Sequence, residues 1–148
     1  MNKQILMTAS VGALLALGGP AVAQSSADSA AIRETAMDYM QGWYTGDAER
    51  MSRAVHPELA KRIVKQGQNG TAQLNNMGAE QLVNGTRRGF GKETPENQRQ
   101  SDARILDIFG NTASVKATMR DWVDYMHMAR WNGRWVIVNV LWEMKPGH

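Results

Sequence analysis

Cysteine is absent from this sequence, which excludes a disulfide framework, a thiolate nucleophile and any zinc–sulfur site. Histidine is scarce: there are three, one at the C-terminus, and none stand at metal-ligand spacing. Neither sign of charge dominates. Seventeen Lys and Arg against 14 Asp and Glu give a net charge of +3, too balanced for a nucleic-acid partner, which needs a basic face or stripe. An apolar run of membrane length is also missing. The longest such stretch, residues 5–17, is short for a span and contains Thr8 and Ser10.

That stretch reads instead as part of a leader. Lys3 supplies a positive start, the apolar run follows, and Gly19-Pro20 breaks it before Ala21-Val22-Ala23. This order predicts a signal peptide over residues 1–23, cut between Ala23 and Gln24, with export to the periplasm or medium. No cysteine follows the cut, so a lipoprotein anchor is excluded, and no stable membrane insertion is expected after cleavage. Residues 24–148 then make one domain. Without disulfides it must be held by its core, for which eight Met and five Trp within those residues supply bulk and adaptability.

Apolar residues at Ile32, Ala36, Tyr39, Met40 and Trp43 fall at helical spacing, predicting a helix from Ser29 to Thr45-Gly46 after a flexible lead-in. Asp47 suits the N-cap of a second, short helix, Ala48 to Ala54, which His56-Pro57 ends. Residues 58–65 fit either one more helical turn or a strand. Residues 66–73 read as a turn region around Asn69-Gly70. Leu74, Met77, Leu82 and Val83 bracket a third helix, Ala79 to Arg87, with Gly78 as its N-cap. Residues 92–101, with Pro95, read as a loop. After Asp102 the period changes to two, giving strands at 105–109 and 113–119 and then a long hairpin over 121–144. Asn132-Gly133 is its turn, because a type I′ turn needs positive φ at both central residues. Helices first and a four-stranded antiparallel meander afterwards predict an α+β domain.

The hairpin's register sorts its residues into two faces. Counted outward from the turn, one face carries Trp122, Asp124, Met126, Met128, Trp135, Ile137, Asn139 and Leu141. The other carries Val123, Tyr125, His127, Ala129, Val136, Val138, Val140 and Trp142. Both are largely apolar, whereas a sheet with one wet face alternates polar-out. The first face is expected to pack on the helices. The second, valine-rich face is expected to meet a second copy of the chain, giving a homodimer.

The segments 42–48 (GWYTGDA), 56–62 (HPELAKR), Leu82-Val83, 123–125 (VDY) and 133–139 (GRWVIVN) resemble the nuclear transport factor 2-like superfamily. Within it they are most similar to the family called putative lumazine-binding, related to the SnoaL-like polyketide cyclases. The resemblance spans nearly all of residues 24–148. It implies a cone-shaped fold in which three helices and a curved antiparallel sheet enclose a cavity, commonly dimeric through the sheet. It implies no single activity, because the superfamily includes isomerases, dehydratases, cyclases, ligand binders and assembly domains. Its enzymes use Asp with His or Tyr projecting into the cone.

Asp124, set in hydrocarbon, must be paired, hydrogen-bonded or protonated. It is the candidate general base, with His56 as a candidate acid or base. Tyr39, Trp43, Tyr44, Trp122, Met126, Met128 and Asn139 are candidate ligand contacts, the aromatics by stacking on a flat molecule. Lys61, Arg62, Arg87 and Arg88 could gather near the mouth and attract an acidic ligand, although a solvated basic surface is the default for such pairs. No cofactor and no metal site are expected. Three functions follow: an exported binding protein for a small apolar or aromatic molecule, a cofactor-free isomerase, dehydratase or cyclase using Asp124, and a dimeric accessory or assembly domain.

Overall fold

The computed structural model describes residues 20–147. The expected leader, 1–23, lies outside the described residues except for its last four. These stand at the start of α1 (Pro20–Thr45), so the helix begins nine residues before the expected Ser29. Proline is tolerated at a first helical position, and the alanine-rich stretch behind it has high helix propensity. Asp28, within the expected lead-in, is tied down: it accepts hydrogen bonds from Arg130 and, at 3.2 Å, from Trp135 Nε1.

α2 (Ala48–Ala54) has Asp47 as its N-cap, the side chain accepting from the Arg50 amide at 2.9 Å. The chain then runs straight into β1 (Val55–Gln66), turns through Gly67 to Gly70, and returns as β2 (Ala72–Met77). α3 (Ala79–Arg87) follows, and two short 3₁₀ turns lead to β3 (Asp102–Phe109), β4 (Thr112–Thr118), β5 (Trp122–Trp131) and β6 (Arg134–Met144). The sheet has six strands, not four, in the order β2-β1-β6-β5-β4-β3, with β1 parallel to β6 and every other neighbour antiparallel. Leu74 and Met77 therefore belong to β2 rather than leading into a helix. Residues 58–65 resolve as strand because Leu59, Lys61 and Ile63 alternate inward. His56-Pro57 falls in the irregular stretch between the pairs Val55–Ile137 and Ala60–Asn139, where a missing ladder donor does no harm.

The three helices pack on one face of this curved sheet. The core gathers Ile32, Ala36, Tyr39 and Met40 of α1 with Val115, Met126, Met128, Ile137 and Val140 of the strands. The turn is as expected: Asn132 (φ 48°) and Gly133 (φ 77°) close the pair Trp131–Arg134. The register does not hold to the end. Met128 pairs with Ile137 but His127 pairs with Asn139, leaving Val138 as an extra residue in β6. A bulge reverses every later side chain and bends the strand. Asn139 and Leu141, expected inside, are exposed on the outer face; Val140 and Trp142, expected outside, turn toward the helices. Tyr125 and His127, ahead of the bulge, keep the outer positions expected of them.

Candidate functional site

Inside the sheet's concave side lies a cleft of about 160 Å³, lined by Tyr39, Trp43, Lys61, Met77, Leu82, Asp121, Trp122, Trp142 and Met144. Six elements converge there. α1 brings Tyr39 and Trp43 one turn apart on one face. β1 brings Lys61, β2 ends at Met77, and α3 supplies Leu82. The outer ends of β5 and β6 pair Trp122 with Met144 and set Trp142 opposite Asp124. The walls are aromatic: Trp122 meets Trp43 edge-to-face at 5.9 Å between ring centroids and Trp142 at 6.1 Å, both within the favourable range for such pairs.

Lys61 is the polar centre of this arrangement, only 5% exposed. Its Nζ is paired with Asp124 Oδ1, donates to Tyr39 Oη at 2.9 Å, and lies 4.7 Å from the centre of the Trp142 ring. Trp122 Nε1 donates to Asp124 Oδ2 at 3.0 Å. Burial lowers the Lys61 pKa below its ordinary value, although the adjacent Asp124 carboxylate works the other way. Burial also holds the Tyr39 phenol well above its ordinary value, reinforced by Asp124's charge and hydrogen bond. Tyr39 thus stays a hydroxyl, able to accept from Lys61.

The residues singled out in the sequence divide clearly. Tyr39, Trp43 and Trp122 line the cleft. Asp124 lies behind it, fully buried, with its two oxygens engaged by Lys61 and Trp122. Met126 and Met128 sit deeper in the core, each 1% exposed. Tyr44 is a structural pin: its hydroxyl accepts from the Arg120 amide at 2.9 Å and donates to the Gln100 carbonyl at 3.1 Å. His56 is remote, stacked edge-on against Trp131 at 4.7 Å, its Nδ1 accepting from the Glu58 amide. Asn139 borders a shallow groove on the opposite face of the sheet, beside Asp107, Ser114 and His127. The structure therefore does not bring His56 or Asn139 to Asp124.

Lys61 and Trp142 were missed. Trp142 was assigned to the wrong face by the unmarked bulge, and Lys61 read as surface because lysine is almost never fully buried unless paired. The available signal was the Leu59-x-Lys61-x-Ile63 alternation, which puts the lysine on the apolar side of any strand. Among the described residues, no group of three or more His, Cys, Asp or Glu could hold a metal ion.

Comparison with known proteins agrees with this architecture. The family described as "Putative lumazine-binding" matches residues 27–143. No curated protein matches the chain. Among solved structures, a nuclear transport factor 2-like protein of unknown function from Shewanella baltica superposes with a TM-score of 0.63 at 19% identity, over 82% of this chain and 97% of its own. A nuclear transport factor 2-like protein with a cystatin-like fold from Novosphingobium aromaticivorans gives 0.62 at 17% identity, over 86% and 88%. One of unknown function from Methylobacillus flagellatus gives 0.58 at 22%, over 80% and 93%. At such identities these likenesses speak for the fold alone. The chain belongs to the family described as "Putative lumazine-binding".

Proposed function

We propose that this domain is an exported binding protein for a small planar molecule, held in the aromatic cleft around Lys61. The observation that carries the reading is the cleft's make-up: three tryptophans and a tyrosine around one buried ammonium. Apolar and aromatic walls with a few placed polar groups are the usual composition of a small-molecule site. Size narrows the ligand. Drug-sized ligands occupy about 300–1,000 Å³, whereas a cavity of about 150 Å³ takes a benzene ring. A cleft of about 160 Å³ therefore suits one ring, or one end of a larger flat molecule projecting through the opening. The family's description names lumazine, a flat heterocycle, which fits the second arrangement. Export rests on the leader-like residues 1–23.

Titration with a panel of planar heterocycles, lumazine among them, tests the reading, with tryptophan fluorescence and native mass spectrometry as readouts. A one-to-one complex that quenches the fluorescence, and whose affinity falls at least about tenfold in Trp122→Ala, is expected. Binding unaffected by that substitution would place the ligand elsewhere.

A second reading concerns the opposite face of the same sheet, as a homodimer contact. It is supported by the exposure there of Tyr125 (50%) and Leu141 (55%), with Phe109 (82%) at the adjoining strand end. Sedimentation of the wild type and of Tyr125→Lys/Leu141→Lys checks it: a wild-type dimer converted to a monomer is expected. A monomeric wild type would remove this reading and leave the first untouched.

A further inference from the structure

This inference rests on the cleft being a ligand site and concerns which ligands it accepts. The expectation from a buried lysine is an anion site, since an ammonium among aromatic rings attracts carboxylates. The surroundings of Lys61 argue the reverse. Its charge is already matched by Asp124, which is fully buried directly behind it. A second carboxylate, Asp121, lines the cleft. Arg120, 3.5 Å from Asp121 and open to solvent, balances that outer charge. The cleft is left with no net positive charge to offer. An incoming anion would lose its water to aromatic walls and meet a cation already neutralised at contact distance, so its desolvation would not be repaid.

What Lys61 still has is a donor. An ammonium carries three N–H bonds. Among the described residues, two hydrogen bonds are made, to Asp124 Oδ1 and Tyr39 Oη. The nitrogen sits over Trp142, a ring that itself walls the cleft. An uncharged carbonyl oxygen or ring nitrogen can accept the remaining N–H and gain a charge-assisted hydrogen bond at small desolvation cost.

We propose that the cleft selects uncharged planar rings bearing a hydrogen-bond acceptor and rejects the corresponding aromatic anions, with the Lys61–Asp124 pair as the element that sets this charge preference. Asp124 is then a positioning residue: it fixes the ammonium and cancels its charge without touching the ligand.

Matched ring compounds that differ only in charge test this. Nicotinamide against nicotinate, and benzamide against benzoate, are titrated into the wild-type protein by calorimetry, with the Trp122 indole N–H followed by NMR to locate the site. Each amide is expected to bind about tenfold or more tighter than its acid. Equal affinities, or acids preferred, would overturn the charge selection while leaving the cleft a ring site. No binding by any of the four would overturn both. In Asp124→Asn, titrated at mildly acidic pH, Lys61 is an uncompensated cation, and the amide-to-acid ratio is expected to collapse or invert. A folded variant with the wild-type ratio would show that Asp124 does not set the preference. Should the variant not fold, the wild-type ratio decides the charge selection, and Lys61→Arg, which keeps the charge pair, decides the pair's part in it: the ratio is expected to persist, and its inversion would show that the pair does not set the preference.

Discussion

Two aspartates in this domain each take two donors, and they live in different solvents. Asp124 holds Lys61 and Trp122 with no exposure at all. Asp38, on α1, accepts from Arg50 Nε at 2.6 Å and Arg53 Nε at 3.0 Å, both on α2, whose side chains are 30% and 52% exposed. On paper the constellations match: one carboxylate and two nitrogens. Both carboxylates are buried, and water separates them through their partners: the arginines of Asp38 reach solvent, whereas Lys61 does not. At Asp38 it screens the charges and would solvate whichever partner was left over, so the triad is local glue for the α1–α2 corner. At Asp124 nothing else can solvate a charge, so each partner is obligatory to the other. The same motif is adjustable in one place and fixed in the other. A fixed pair is what a binding cleft needs to hold a donor in one position.

The largest effect should come from breaking the buried pair on one side. Lys61→Met keeps the length and apolar stem of the side chain but leaves Asp124 with neutral donors only. A loss of about 3–5 kcal/mol is expected, read as a lower urea midpoint. Restoring the balance by removing both charges, in Lys61→Met/Asp124→Leu, should recover most of that loss, because well-packed apolar residues often replace a buried pair at no net cost. The double variant should nonetheless lose ligand binding. Stability without binding would separate the pair's two roles, whereas a double variant as unstable as the single one would mean the pair is needed to fold.

An intermediate effect is expected at Trp122→Phe, which keeps an aromatic wall but removes the N–H donated to Asp124 Oδ2. A lost hydrogen bond to a buried charge is worth about 1.5–3 kcal/mol. Chemical denaturation measures it. A change below about 0.5 kcal/mol would show that Asp124 is held by Lys61 alone, the level at which surface substitutions usually fall.

How much of this could be read from the chain depends on how local each signal is. α2's Asp47 cap, α3 and the Asn132-Gly133 turn were all legible, because a cap or a turn is decided within four residues. β1 and β2 were not. His56-Pro57 and the glycine-rich turn mask the alternation of Leu59, Lys61 and Ile63, and a lysine at an inward position reads as surface until its partner is known. That partner is 63 residues away. The bulge at Val138 has no glycine to mark it in a run of valines, so Trp142 and Asn139 were assigned to each other's faces. A third of the cleft's lining, Tyr39, Trp43 and Trp122, was visible as aromatic bulk. Its polar centre was not, because it exists only where β1 and β5 flank β6 in one sheet.

The smallest effect belongs to Asp38→Asn, and its pH dependence is the sharper readout. Burial alone would raise the Asp38 pKa, but hydrogen bonds from Arg50 and Arg53, and their charges, outweigh it and hold the carboxyl below its ordinary value of 3.8. As pH falls past that value, the unfolded chain takes up a proton that the folded chain still refuses. In that window the unfolded state binds more protons, so stability rises with pH. The contribution is complete above the ordinary value and is lost as pH falls through the lowered one. Asp38→Asn should therefore flatten the acid limb of the stability curve in that window. At neutral pH it should cost less than about 1 kcal/mol, since the two arginines are wet enough to stand alone. Urea titrations across the acid range provide the test. A neutral-pH loss as large as that of Lys61→Met would mean that the exposure of their partners does not separate the two aspartates, and that the α1–α2 corner depends on its ion pairs as strictly as the cleft does.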